Sequence, residues 1–227
     1  MTNTRDGEVT IPLQKQFVTA AIVMLLLTVP SGSLSQQTND VQVIILSPST
    51  TDIRISLTRE AIAFWNETFA ALQLRLRLRE SDMIVTLARS RAFENYARQI
   101  SQRAGRFSAG PDEPDPPVQV VEIGGDVVVL LSRQDIMSFA WPLPRSTRYF
   151  VAIETGPNSA AANQNVARNV IAHELGHTIG LTHNNDPTTL MCGPCRPSLL
   201  KEDEPAFLPL TPLDLERLVK LHPRIDQ

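Results

Sequence analysis

Three of the four histidines in the 227-residue chain lie within eleven consecutive positions, and this cluster constrains the fold more than any other feature. His173 and His177 are four residues apart, a spacing that puts two side chains on one face of an α-helix. We expect that helix to cover residues 161–180 and to end at Gly180, because glycine tolerates the left-handed conformation that turns the chain. Beyond the turn, His183 can return toward the same point. The sequence therefore predicts one helix and one turn that bring three imidazoles together.

Three neutral imidazoles with an open fourth position are typical of a catalytic zinc site. Glu174 follows His173 and is therefore rotated by about 100° around the helix axis. Its side chain can reach a water on the metal without being a ligand. An H-E-x-x-H pattern also arises by chance in long helices, but chance does not account for the turn glycine and the third histidine that follow. We expect His173, His177 and His183 to bind one zinc ion, and Glu174 to act as general base toward a zinc-activated water.

The segment from His173 to His183, HELGHTIGLTH, resembles the extended zinc-binding motif of the metzincin metallopeptidases. Met191, eight residues further on, resembles the methionine of the turn that underlies the zinc site in that clan, and the spacing is most similar to the matrixin branch. The resemblance implies an α+β, metzincin-like zincin fold. Its parts are a twisted mixed β-sheet, an active-site helix, a backing helix and a small C-terminal subdomain ending in a helix. It also implies a zinc endopeptidase that acts on proteins or peptides.

The number of metal ions is a separate expectation. Matrixins usually carry a second, structural zinc bound by further histidines, whereas this chain has only His222 left. We therefore expect one catalytic zinc. Carboxylates at Asp112, Glu113 and Asp115 could supply oxygen ligands for calcium, but interleaved prolines make a compact cage unfavourable. Calcium is not expected.

Cys192 and Cys195 form a C-x-x-C pair directly after Met191. Such a pair can be a redox couple, half of a zinc site or a small disulfide. In an oxidising compartment, the disulfide is the interpretation that we favour. By the resemblance, the pair lies where the wall of the main specificity pocket is found.

The hydrophobic pattern predicts the elements around this site. Strands are expected at 41–46, 74–78, 83–87, 138–141 and 149–153, a hairpin at 118–131 with its turn at Gly124-Gly125, and helices from Thr58, at 92–102 and from Pro212 with Thr211 as its cap. The strand at 138–141 is a candidate edge strand, against which an extended substrate could pair. No linker or repeat interrupts this order, so we expect one domain over residues 36–227.

The amino terminus contains thirteen apolar or small residues at 17–29, followed by small and helix-breaking residues. This pattern predicts a signal peptide at 1–35 and a secreted or otherwise extracytoplasmic protein, and an uncleaved membrane anchor is the alternative. A formal net charge of −3 argues against a nucleic-acid partner. Two other functions remain open: a catalytically silent, zinc-stabilised binding module and a membrane-tethered interaction protein.

Overall fold

The computed structural model describes residues 39–86, 90–104, 114–154, 163–195 and 206–225, which all belong to one compact unit. The elements, in chain order, are β1 (Asn39–Ser47), α1 (Ile53–Ala71), β2 (Leu76–Val85), α2 (Ser90–Ala104), α3 (Val118–Glu122), β3 (Val127–Leu131), β4 (Phe139–Pro142), β5 (Tyr149–Ile153), α4 (Gln164–Thr178) and α5 (Pro212–Leu221). The strands form one mixed sheet in the order β2-β1-β3-β5-β4, in which β4 alone runs antiparallel. The predicted α+β class with a mixed sheet is confirmed.

The sheet lies between two helical layers because successive strand residues point to opposite faces. In β1, Val43 and Ile45 pack with α1 and α4, whereas Ile44 and Leu46 pack with α2 and α3. All five residues of β3 are buried, as expected for a parallel strand that is covered on both faces. The layer that contains α1 and α4 carries the histidines, so this side of the sheet positions the site.

The backing helix α1 is fixed to α4 beside the first histidine. The indole Nε1 of Trp65 donates a hydrogen bond of 2.9 Å to the backbone carbonyl of Ala172, and Trp65 is fully buried. A buried indole N–H needs an acceptor, and this one comes from the residue immediately before His173. The contact therefore sets the position of α4 against α1 at the level of the site.

The predicted start of α1 at Thr58 is wrong. The helix begins at Ile53, and the carboxylate of Asp52 caps it by accepting the backbone N–H of Arg54. Thr58 lies inside the helix, where its hydroxyl donates to the carbonyl of Arg54. Aspartate and threonine are both good N-cap residues, so residue preference alone does not choose between them.

The predicted hairpin at 118–131 is also wrong. Its first half is the short helix α3, and its second half, β3, pairs in parallel with β1 on one edge and β5 on the other. No edge of β3 is left for a hairpin partner. In α3 only Val120 is buried, whereas Val118 and Val121 are exposed. Gly125 does have the positive φ that a turn requires, at 78°.

The two strands predicted at 74–78 and 83–87 are one strand, β2, and position 87 lies outside the described residues. The polar residues between these two segments interrupt the hydrophobic pattern, so the sequence suggested two strands. They lie where the pairing with β1 is irregular. Ser81 has no residue opposite it in β1, because the register shifts between Val43 and Ile44, and its hydroxyl donates to the carbonyl of Val43. A β-bulge of this kind accommodates one extra residue without ending the strand.

At the C-terminal end, α5 begins as predicted. The hydroxyl of Thr211 accepts the N–H of Asp214, Pro212 occupies the first turn, and the carboxylate of Asp214 accepts the N–H of Thr211. No helix within the described ranges combines the length and apolar character that a membrane span requires. The apolar run at 17–29 lies outside those ranges, so the signal peptide at 1–35 and the domain boundary stay predictions.

Candidate metal centre and substrate cleft

The three clustered histidines converge on one point. The Nε2 atoms of His173, His177 and His183 lie 3.0–3.1 Å from one another. Helix α4 presents the first two, and it ends at Thr178, two residues before Gly180, where a φ of 94° reverses the chain. The turn then returns His183 to the same point, as the spacing predicted.

Backbone carbonyls orient the two helical imidazoles. The Nδ1 atom of His173 is 2.7 Å from the carbonyl of Leu190, and the Nδ1 atom of His177 is 2.9 Å from the carbonyl of Leu181. A carbonyl can only accept, so each Nδ1 carries the proton and each Nε2 keeps its lone pair. Burial lowers the pKa of His173 to about 4 and also lowers the pKa of His177. Both rings are therefore neutral near pH 7, as metal binding requires.

The three nitrogens fit a zinc ion. Nitrogens bound to tetrahedral zinc at about 2.0–2.1 Å stand about 3.3–3.4 Å apart, and the observed separations of 3.0–3.1 Å are close to that spacing. Without a cation, three lone pairs at this distance would repel one another. A second possible ligand group in the described residues shares His173 and adds Cys192 and Cys195. Their sulfurs form a disulfide, so they are not thiolates available to a metal.

Glu174 lies beside this triad and is deeply buried, with 7% of its surface exposed. Burial raises its pKa to about 8, and a hydrogen bond with the backbone of Ala140 in β4 acts in the opposite direction. This bond connects the carboxylate to the edge strand of the sheet. A carboxylate whose pKa lies near neutrality is suited to accept and return a proton.

Met191 packs beneath the histidine-bearing face of α4. It is fully buried, and a Cβ atom added to Gly176 would lie 2.6 Å from its Sδ. The sulfur therefore occupies the space that a side chain at Gly176 would need. The turn that contains Met191 is also paired with the segment after His183, because the N–H of Asn184 donates to the Met191 carbonyl over 2.7 Å.

Several positioning groups had no sequence signal. The carbonyls of Leu181 and Leu190 belong to the backbone, so residue type does not reveal them. Gly193 lies so close to the ring of His183 that an added Cβ would meet it at 2.8–2.9 Å. No role was predicted for this glycine, although its lack of a side chain makes room for the third imidazole.

A cavity of about 630 Å³ opens next to the triad. His173 and Glu174 line it, together with the disulfide-bonded Cys192 and Cys195. Its apolar walls include Val166, Val170, Leu190 and Leu208. The volume lies within the usual range for ligand sites. The structure thus places the cysteine pair at a cavity wall, beside the residues predicted to carry the chemistry.

The protein-family model for matrixins, peptidase family M10, matches residues 49–204. The chain belongs to the matrixin family. The match includes the histidine cluster, Glu174 and Met191, and confirms the branch that the motif resembled. Membership makes the protein a zinc metallopeptidase.

Two solved structures are similar to this matrixin. An archaemetzincin from Methanopyrus kandleri is 16% identical, with 85% of this chain and 98% of that chain covered and a TM-score of 0.45. A zinc-dependent peptidase from Methanocorpusculum labreanum is 15% identical, with coverages of 78% and 99% and a TM-score of 0.37. No curated protein matches the chain.

Proposed function

We propose that the protein is an exported zinc endopeptidase in which His173, His177 and His183 hold one zinc ion and Glu174 is the general base. The observation that carries this proposal is the convergence of three Nε2 lone pairs within 3.1 Å of one another, beside a buried carboxylate. When bound, zinc acts as a Lewis acid toward the scissile carbonyl and lowers the pKa of a water molecule.

Glu174 moves the proton in this proposal. Its carboxylate accepts a proton from the attacking water and then passes it to the nitrogen of the leaving amine. The hydrogen bond with the backbone of Ala140 keeps the carboxylate oriented between these two transfers. The side chain lines the cavity in which the scissile bond would lie. The proton is therefore taken up and released close to the reacting atoms.

The edge strand β4 supports binding of an extended peptide. It is the last strand of the sheet and pairs only with β5 among the described strands, with Ala140 opposite Val151. A substrate that adds to its outer edge would run past Glu174 and gain main-chain hydrogen bonds along its length. Such pairing does not require a chain terminus, so it favours an endopeptidase. The adjoining cavity would receive one substrate side chain.

Export is supported by the sequence alone, through the apolar run at 17–29 and the small residues that follow it. We expect secreted protein to begin near Gln36. Amino-terminal sequencing of the secreted protein checks this. A mature protein that still contains residues 17–29 would instead indicate a membrane anchor.

A Glu174→Gln variant tests the proposed mechanism. Glutamine keeps the shape of the side chain but cannot accept the proton, so we expect one zinc per chain and a fall in peptide cleavage of about 10²–10⁴-fold. Glu67→Gln, at an exposed position of α1, is the control and should cleave at the parent rate. If Glu174→Gln cleaved as fast as the parent, Glu174 would not be the base. A parent that binds zinc but cleaves no peptide would favour the binding-module alternative.

A further inference from the structure

A buried carboxamide on α4 connects the metal helix to the wall of the cavity. Asn169 lies one helical turn before His173, and only 4% of its surface is exposed. Its Nδ2 donates to the carbonyl of Ala206 over 2.8 Å, and its Oδ1 accepts the N–H of Leu208 over 2.7 Å. A carboxamide both donates and accepts a hydrogen bond. It can therefore bind the carbonyl before Phe207 and the N–H after it, as a neighbouring strand would.

The segment 206–210 has no regular secondary structure, and its position depends on such bonds. The N–H of Ala206 donates over 3.1 Å to Oδ1 of Asn165, which lies one helical turn before Asn169 in α4. At the other end, the carbonyl of Pro209 accepts the N–H of Leu190 over 2.8 Å. The carbonyl of Leu190 in turn accepts the Nδ1–H of His173. The segment is therefore held between α4 and the turn that orients a proposed zinc ligand.

We propose that Asn169 is a specificity-determining positioning residue, whose carboxamide holds Leu208 as a wall of the cavity that receives the substrate side chain. Asn169, Leu208 and Leu190 all line that cavity. Loss of the carboxamide would remove both bonds by which α4 holds the half-buried Leu208 and the neighbouring Ala206, so the segment would be free to move away from the helix. Such a movement displaces Leu208 and enlarges the cavity. The inference rests on the proposed function, because it concerns which side chains the peptidase accepts.

The chain offers a matched control in Asn66 of α1. Its carboxamide makes the same pair of bonds, donating to the carbonyl of Leu78 over 2.9 Å and accepting the N–H of Leu78 over 2.8 Å. Leu78 belongs to β2 and does not line the cavity. Asn66→Ala therefore removes the corresponding pair of bonds at a distance from the substrate and reports the effect of lost stability, whereas Asn169→Ala also removes a bond of 2.9 Å from Nδ2 to the carbonyl of Asn165 within α4.

The experiment compares peptide pairs that differ only in one residue, leucine or tryptophan, placed either directly before or directly after the scissile bond, and uses the position at which the parent discriminates more strongly. We expect Asn169→Ala to raise the kcat/KM ratio of the tryptophan peptide to the leucine peptide by about tenfold, a change of the size that pocket contacts produce. Asn169→Asp keeps the shape and the acceptor for Leu208 but loses the donor, so it should shift the ratio in the same direction by less. Asn66→Ala should leave the ratio within about twofold of the parent value.

Hydrogen exchange supplies a readout that does not need activity. In Asn169→Ala, the amides of segment 206–210 should exchange faster than in the parent, whereas in Asn66→Ala only those near Leu78 should. Ratios unchanged in both Asn169 variants overturn the proposal, and so does unchanged exchange in that segment. If Asn169→Ala does not fold, the proposal is tested by Asn169→Asp alone, through its kcat/KM ratio and the hydrogen exchange of segment 206–210. A parent that cleaves neither peptide contradicts the proposed function, while exchange still tests whether Asn169 holds the segment.

Discussion

The orientation of each imidazole depends on backbone groups rather than on other side chains. The Nδ1 atoms of His173 and His177 face carbonyls, and the ring of His183 packs on the backbone of Gly193. A hydrogen bond at Nδ1 fixes the tautomer and the ring plane, so Nε2 is aimed before any metal arrives. Such preorganisation lowers the cost of assembling the three ligands.

His183→Ala tests whether the third imidazole is a ligand. We expect zinc affinity to fall by more than about 100-fold, since even the loss of an outer hydrogen-bond partner of a ligand costs about 10–100-fold. Metal content after dialysis and peptide cleavage should fall together. His222→Ala is the control, because His222 bonds to the carbonyl of Ile179 and lies outside the triad. Equal zinc content in the two variants would remove His183 from the ligand set.

At this scale the sequence identified the residues that converge but not what supports them. The spacing of His173 and His177 is a helical repeat, and Gly180 marks a turn, so both leave a signal in residue type. The accepting carbonyls leave none. The same applies to Asn169, which as a lone asparagine in a helix resembles a solvent-facing residue until segment 206–210 is seen to pack on it.

At the scale of elements, the site depends on close contact between α4, α1 and the turn at Met191. Gly176→Ala tests this contact, because the new Cβ would lie 2.6 Å from the sulfur of Met191 and 3.0 Å from Cζ2 of Trp65. We expect the free energy of unfolding to fall by about 1–3 kcal/mol, the usual cost of overpacking. Gly124→Ala, where nothing lies within 4 Å, is the control. Denaturant unfolding measures both, and equal stabilities would mean that α4 and Met191 can separate freely.

The elements that the sequence predicted correctly are those whose ends are marked by local chemistry. Helix α5 begins at a Thr211-Pro212 cap, and α4 is followed by Gly180. The predicted hairpin was wrong because strand pairing depends on tertiary structure. The neighbours of β3 in the sheet are β1 and β5, which are distant in sequence. A β-branched run such as 118–123 matches a strand by residue preference, and that preference depends strongly on context.

At the scale of the molecule, a guanidinium holds the connection that leads into β3. Arg148, just before β5, donates to the carbonyls of Val121, Ile123, Gly124 and Gly125. Clustered carbonyls of this kind are also what a calcium ion binds. Here the guanidinium of Arg148 brings a positive charge to these carbonyls.

The number of metal ions depends on which potential ligands the fold brings together. Both groups of three or more potential ligands in the described residues include His173, so the two groups share one site there. Of the three carboxylates considered as calcium ligands, Asp112 and Glu113 lie outside those residues, whereas Asp115 is described and belongs to neither group. We expect metal analysis after dialysis to give one zinc per chain.

Removing that zinc should lower the melting temperature, because an ion at about 100 times its Kd stabilises the native state by about 2.7 kcal/mol. A calcium-selective chelator should leave the melting temperature unchanged. Two zinc ions per chain, or a lower melting temperature in that chelator, would show that a further metal site holds the fold.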